Sequence, residues 1–305
     1  MTEREAAVRR CNDELIKRYG AVVRARGPYL YTQKGVRLTD LYLDAGRAVL
    51  GRACSGSNAF RVLKNTLERG ETGSFPSAYN TRFQKAVLSL IPGYDYAARF
   101  SCEDSLLRAA ALYASDRTTG TKQDSTGTQG AAVSPNAGLR VKLWRPWQTE
   151  VADSADGENP YETLGTDTRI AEGILAFYPP LALQEAGLIA VFKAGNNPFP
   201  LSDLCSGALL NAITRSIYDL QREIPMQGEK EWSRFDAVLS PYFEREGAYL
   251  IPKIEGAQYE DFVNHCLDCR LLIPPYPAPA LVPVGVNEGD FSRLKQTPFK
   301  CRINL

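Results

Sequence analysis

Apolar residues return at helical spacing over residues 1–20, at Ala7, Val8, Cys11, Leu15 and Ile16, and predict a short amphipathic arm ending at Gly20. The spacing then shortens. Tyr29, Leu30 and Tyr31 read as one strand, Gln33 to Gly35 as a turn and Leu38 to Leu43 as the returning strand of a hairpin. Helical spacing resumes with Phe60, Val62, Leu63 and Leu67 in the stretch from Asn58 to Arg69, which Gly70 ends, and again from Tyr79 to Leu90, which Ile91-Pro92-Gly93 stops. A short strand, Ala97 to Phe100, runs into the polar turn SCEDS, and a helix follows from Leu106 to about Ser115.

Two polar stretches interrupt the pattern. Residues 116–138 are rich in Ser, Thr, Gly and Gln, and a second run spans 148–168, with strand-like LRVKLW between them. Core signals return with GILAFYPPL, a helix near Ala182 to Ala186 and the strand Leu188 to Phe192. A long helix is predicted from Ser202 to Ile224 with Ser202 or Asp203 as its N-cap, followed by strand-like AYLIPKI, helical YEDFVNHCLDCRLL and strand-like PALVPVGV. Helices and strands alternate in the middle, with an α+β texture at both ends.

Composition narrows the class. A chain of 305 residues with 44% hydrophobic content can bury a sizeable core, and its 36 Lys and Arg against 35 Asp and Glu leave no field that favours nucleic acid or an anionic membrane. No apolar run approaches the ~18 residues that span a bilayer, and MTEREAAVRRCNDELIKRYG lacks the apolar core of a signal peptide, so a cytoplasmic location is expected. Seven cysteines, an odd number in a chain of this size, point to free thiols.

The stretch GPYLYTQKGVRLTDLYLDAGRAVLGRA resembles the N-terminal hairpin of the class III aminotransferases, glutamate-1-semialdehyde aminomutase among them. TLERG, the Ser-Phe-Pro link, the helix, IP and the strand follow in the family's order, and YEDFVNHCLDCRLLIPPYPAPALVPVGVNEGDFSRL resembles its small domain. The resemblance implies a pyridoxal-phosphate-dependent transferase-like fold: a large α/β domain with a mainly parallel central sheet flanked by helices, and a small α+β domain built from both termini. The expected boundaries are 1–57 for the arm and hairpin, 58–228 for the shortened large domain and 229–305 for the C-terminal small domain. It also implies a homodimer.

The family's site motifs are altered. Its S-G-[ST]-E-A turn binds the cofactor phosphate through helix-terminal N–H groups and a hydroxyl. Here Ser101 fits, Cys102 replaces the Gly, Glu103 replaces the Ser/Thr, Asp104 holds the acidic position and Ser105 stands for the Ala. A carboxylate at that mouth can take the amides a phosphate would use, which predicts a helix start capped by its own side chains; acidic decoration of a first turn predicts the same sequence. The family's Y-H-G turn has no counterpart, since the one histidine is His265. ALQEAGLIAVFKAG puts Phe192 or Lys193 where the family has the Asp that faces the pyridine nitrogen, and Lys193 is equally the candidate Schiff-base lysine.

Other constellations add less. His265-Cys266-x-x-Cys269 has redox or metal spacing but sits in a helical pattern, so core cysteines and no metal are expected. Ser55-Gly56-Ser57 and Gly70 to Gly73 read as turns, and Trp144-Arg145-Pro146-Trp147 and Tyr29-Leu30-Tyr31 as aromatics of a ligand pocket, a subunit contact or the core. The expectation is a divergent protein of aminotransferase class III type, without cofactor or catalysis, acting as a binding or structural dimer. Its alternative is an active aminotransferase or aminomutase with pyridoxal phosphate on Lys193. A third possibility keeps a small-molecule pocket in which Arg145 or Arg99 meets an acidic group.

Overall fold

The computed structural model describes residues 2–52, 58–115, 139–148, 163–165 and 169–300. In chain order, the first elements are α1 Glu3–Tyr19, β1 Val22–Arg26, β2 Tyr29–Thr32, β3 Arg37–Asp40, α2 Ala59–Glu68, α3 Tyr79–Leu90, β4 Tyr96–Phe100 and α4 Glu103–Ser115. The middle holds β5 Arg140–Leu143, β6 Thr163–Leu164, β7 Ile170–Phe177, β8 Leu188–Phe192 and α5 Gly207–Glu223. Then come α6 Glu229–Ser233, α7 Asp236–Leu239, β9 Phe243–Glu246, β10 Tyr249–Pro252, α8 Ala257–Asp268, β11 Leu271–Leu272, β12 Ala280–Leu281 and α9 Ser292–Gln296. The fold is mixed α/β. It divides into two units, one of Met1–Ser57, Trp147–Glu150 and Arg222–Leu305, the other of Asn58–Pro146 and Val151–Gln221.

The second of these units is built on a five-stranded sheet of order β4-β8-β7-β5-β6. Strand β8 is buried along its whole length because helices cover both sheet faces. Ile189 and Val191 pack with Ala97, Phe83, Val87, Ile213 and Ile217 on the side of α3 and α5. Leu188, Ala190 and Phe192 pack with Phe100, Leu106, Ala110 and Tyr113 on the side of α4. This alternation explains the unbroken apolar run LIAVF.

The sheet is less parallel than expected. β4, β5 and β7 run in one direction, but β8 lies between β4 and β7 antiparallel to both, and β6 is antiparallel to β5. Within this sheet the β5–β7 pair alone is parallel among the described strands, because β7 and β8 are joined by a short link with one 3-10 turn, Gln184–Ala186, in place of a crossover helix. That 3-10 turn also replaces the helix predicted near Ala182 to Ala186. The stretch 116–138 and most of 148–168 lie outside the described residues, as do Ser55, Gly56 and Ser57.

As the outer strand of its sheet, β4 would expose a row of unpaired backbone groups. Three side-chain devices cover it. Gln84 accepts from Ala97 N at 2.9 Å and donates to Ala97 O at 2.5 Å. Two residues further on, Arg99 N donates to Ser202 Oγ at 3.1 Å and Arg99 O accepts from Asp203 N at 2.8 Å. At the next alternate position, Ser101 N donates to Asp203 Oδ2 at 2.7 Å. Residues 202 and 203 are therefore edge-covering chain, and α5 starts later than predicted, at Gly207, with Leu209 N bonded to Ser206 Oγ at 3.2 Å.

In the other unit, α1 opens with a capping box between Thr2 and Glu5 and ends at Gly20, burying Ala7, Cys11 and Leu15 while Ile16 stays exposed. The β2–β3 hairpin lies in the sheet β1-β2-β3-β11, and β12-β10-β9 forms a second, antiparallel sheet. The predicted return strand stops at Asp40 rather than Leu43. The fully buried Asp40 carboxylate accepts from Tyr42 N at 3.0 Å and Leu43 N at 2.8 Å, turning the chain, and pairs with Arg52. Burial pushes the Asp40 carboxyl up, against Arg52 and those amides.

Candidate functional site

The β4–α4 turn is the strongest candidate, and its geometry begins with a glycine. Gly187, at φ +68°, lies against the carbonyl of Phe100, where any Cβ would collide. Only this close approach lets the Gln184–Ala186 turn abut the end of β4. Arg99, 4% exposed, fastens the same turn by donating from Nε to Ala186 O at 3.2 Å and from its guanidinium to Glu185 O.

Beyond Phe100, α4 begins at Glu103, three residues earlier than predicted, with Cys102 O accepting from Leu106 N at 3.3 Å. The acceptor at the helix mouth is Asp203. Its carboxylate takes Ser101 N at 2.7 Å, Ser101 Oγ at 2.6 Å and Ser105 Oγ at 3.0 and 2.8 Å. Burial pushes this carboxyl up, but the Ser101 and Ser105 bonds and the Arg99 guanidinium outweigh it and hold the group below the usual carboxylate range. It is thus an anion held by two hydroxyls and an amide just ahead of the helix start.

The expected self-capping by α4's own acids is corrected here. Glu103 turns aside, and its Oε1 accepts from Gly165 N at 3.1 Å. Cys102 is exposed and carries no disulfide. The capping carboxylate comes instead from a residue that edge pairing on β4 carries to the helix mouth. The sequence marks Asp203 as a candidate N-cap of the helix that follows it, whereas its carboxylate serves the start of α4.

Lys193 lies elsewhere. The register pairs Phe100 with Leu188 and Tyr96 with Phe192, so Ser101 and Lys193 extend past opposite ends of the β4–β8 pair. The register sets Lys193 opposite residue 95, six strand steps of ~3.4 Å from Ser101, or about 20 Å, beyond the reach of a four-carbon side chain. Lys193 is exposed, with its ammonium 5.6 Å from the Tyr94 ring centroid, its N–H on Gly173 O at 2.9 Å and its C=O accepting from Tyr113 OH at 2.5 Å. The other described lysines of this unit, Lys64, Lys85 and Lys142, are exposed too.

The remaining candidates disperse. Arg99 is engaged with backbone carbonyls and Asp203 rather than an open pocket. Trp144 packs edge-on to Phe177 at 5.6 Å, whereas Trp147 belongs to the other unit, donating to Ile224 O at 3.2 Å beside Trp232. In α8, His265 Nε2 meets Thr297 O at 2.8 Å, and a carbonyl can only accept, so that nitrogen carries the proton and is no base for Cys269, 3.6 Å away. Burial pushes both the Cys266 and Cys269 thiols up.

No family model matches the chain. It is 26% identical to an uncharacterized protein of Treponema pallidum (strain Nichols) over 302 residues, covering 88% of this chain and 91% of that one. An uncharacterized protein of Borreliella burgdorferi is 23% identical over 292 residues, with 94% and 93% covered. Among solved structures, the ornithine aminotransferase of Toxoplasma gondii ME49 aligns with a TM-score of 0.58 at 11% identity over 97% of this chain and 94% of that one. An omega-transaminase from Sphaerobacter thermophilus aligns with a TM-score of 0.57 at 8% identity, over 90% and 89%. The chain has the fold of the pyridoxal-phosphate-dependent aminotransferases.

Proposed function

We propose that this protein is a cofactor-free, non-catalytic form of the aminotransferase fold with a binding or structural role as a homodimer in the cytoplasm. The observation that carries the reading is the Asp203 carboxylate on Ser101 N, Ser101 Oγ and Ser105 Oγ. These are the donors a cofactor phosphate would need, and a second anion placed there meets like-charge repulsion at hydrogen-bond distance. The residues therefore do not fit pyridoxal phosphate.

The lysines support the same reading. A Schiff-base lysine is made nucleophilic by desolvation or by neighbouring cations, and every described lysine of this unit faces water. The distance between Lys193 and Ser101 weighs against the alternative in which Lys193 carries the cofactor. Self-association is supported by Leu201 and Leu204, 84% and 81% exposed on either side of Ser202 and Asp203.

The test is a spectrum of protein dialysed with excess pyridoxal phosphate, then borohydride reduction and peptide mapping. The reading expects no bound chromophore in the ~410 to 430 nm region and no reduced adduct at stoichiometric yield. A stoichiometric adduct on any lysine would sink it. Sedimentation equilibrium decides the dimer separately, with a concentration-independent monomer as the contrary result.

A further inference from the structure

The unit formed from the two chain ends contains a hollow of about 210 Å³ between β3, the turn after α8 and the start of α9, lined by Arg37, Thr39, Arg270, Asp290, Ser292 and Arg293. Past Cys269, Ser292 and Arg293 it joins a wider groove of about 700 Å³. Its one carboxylate is fully used: Asp290 accepts from Arg37 at 2.7 Å, Tyr29 OH at 2.8 Å and Asn287 N at 2.9 Å. The guanidinium groups of Arg270 and Arg293 make no hydrogen bond or ion pair among the described residues. Asp268, on the side of the wider groove, is already bonded to Arg18 at 2.9 Å.

The two guanidinium groups are not caps for α8. Two of its last carbonyls are taken by other groups, His265 O by Cys269 N at 3.0 Å and Leu267 O by Arg270 N and Tyr19 OH, each at 2.8 Å, and neither guanidinium bonds any carbonyl of that turn. Arg270 also sits at φ 65°, the left-handed position after a helix where Gly or Asn is the unstrained choice. Nothing in the turn itself calls for arginine. Thr39 adds a donor: it is 3% exposed, lines the hollow, and its hydroxyl makes no hydrogen bond among the described residues.

Arg270 and Arg293 line the same hollow. Two like charges facing one polar hollow are complemented by an oxyanion, which accepts from both planar forks and from a hydroxyl. We propose that this hollow binds the phosphate or carboxylate group of a small molecule between Arg270 and Arg293, with Thr39 as a further donor. The size of the hollow suits a single small oxyanion. This site is independent of the α4 mouth and stands whether or not pyridoxal phosphate binds.

Isothermal titration of the full chain at low salt, first with inorganic phosphate and then with succinate, tests the proposal and separates the two ligand sources. One of the probes binds saturably, and its affinity falls at least about tenfold in Arg293→Gln and in Arg270→Asn, the loss of one charge-assisted bond or more. Arg293 is exposed, so Arg293→Gln keeps the wild-type melting temperature and decides the matter if Arg270→Asn folds poorly. No saturable binding of either probe, or equal affinity in wild type and Arg293→Gln, overturns it.

Discussion

At the mouth of α4 the Ser101 amide and the Ser101 and Ser105 hydroxyls have found an acceptor within their own chain, whereas in the hollow after α8 two guanidinium groups and a hydroxyl have not. The first place looks, by fold, like the ligand site, and the second has no such pedigree. The contrast teaches that hydrogen-bond accounting, more than position in a fold, separates a closed site from an open one. A helix start answered by a carboxylate of its own chain is part of the structure, and removing the carboxylate costs stability. An arginine without a partner contributes little to stability, and its loss shows only when a ligand is present.

Substitutions around α4 sharpen that contrast, beginning with the largest effect. Gly187→Ala forces a Cβ into the Phe100 carbonyl at φ +68°, and urea unfolding is expected to show a loss of about 3 kcal/mol or more. Arg99→Met strips the buried partners from Glu185 O and Ala186 O and costs roughly 2–3 kcal/mol by the same assay. A loss below about 1 kcal/mol in either variant would mean that the turn is not held as described.

Asp203→Ala releases Ser101 and Ser105 and is expected to cost about 2 kcal/mol near neutral pH, in the range of a lost helix cap. Its pH dependence has a definite sign. The folded-state carboxyl is held below its ordinary value, so its contribution is complete above the ordinary carboxylate range and is lost as pH falls through the lower folded value. The gap between wild type and Asp203→Ala should therefore narrow between about pH 5 and about pH 2, and a gap that widens contradicts the assignment. At the small end, Lys193→Gln and Arg293→Gln each change stability by less than about 0.5 kcal/mol, because both side chains face water. Only Arg293→Gln is expected to alter oxyanion binding.

Much of the scaffold was legible from apolar spacing. The strand LIAVF and the helix from Tyr79 to Leu90 fall on β8 and α3 to the residue, because both bury strongly patterned faces. The long helix was read too far toward its N-terminus, since Ser202 and Asp203 carry helix-cap chemistry but spend it on the edge of β4. That pairing joins residues about a hundred positions apart, and no local pattern encodes it. Sheet direction was misread for a related reason: strand patterns give burial, not orientation, and the link that reverses β7 into β8 holds only a short 3-10 turn. Arg270 and Arg293 drew no notice in the sequence, because a lone arginine signals nothing until its neighbours' partners are counted.

The most direct test of the central claim is the amide resonance of Ser101, followed by proton–nitrogen NMR as inorganic phosphate is added. The Asp203 carboxylate already holds this N–H at 2.7 Å, so the resonance is expected to stay put in the wild-type protein and to shift in Asp203→Ala, where the mouth is open. A saturating shift of Ser101 in the wild type would show that phosphate takes the helix start despite Asp203, and would return the α4 turn to the list of working anion sites.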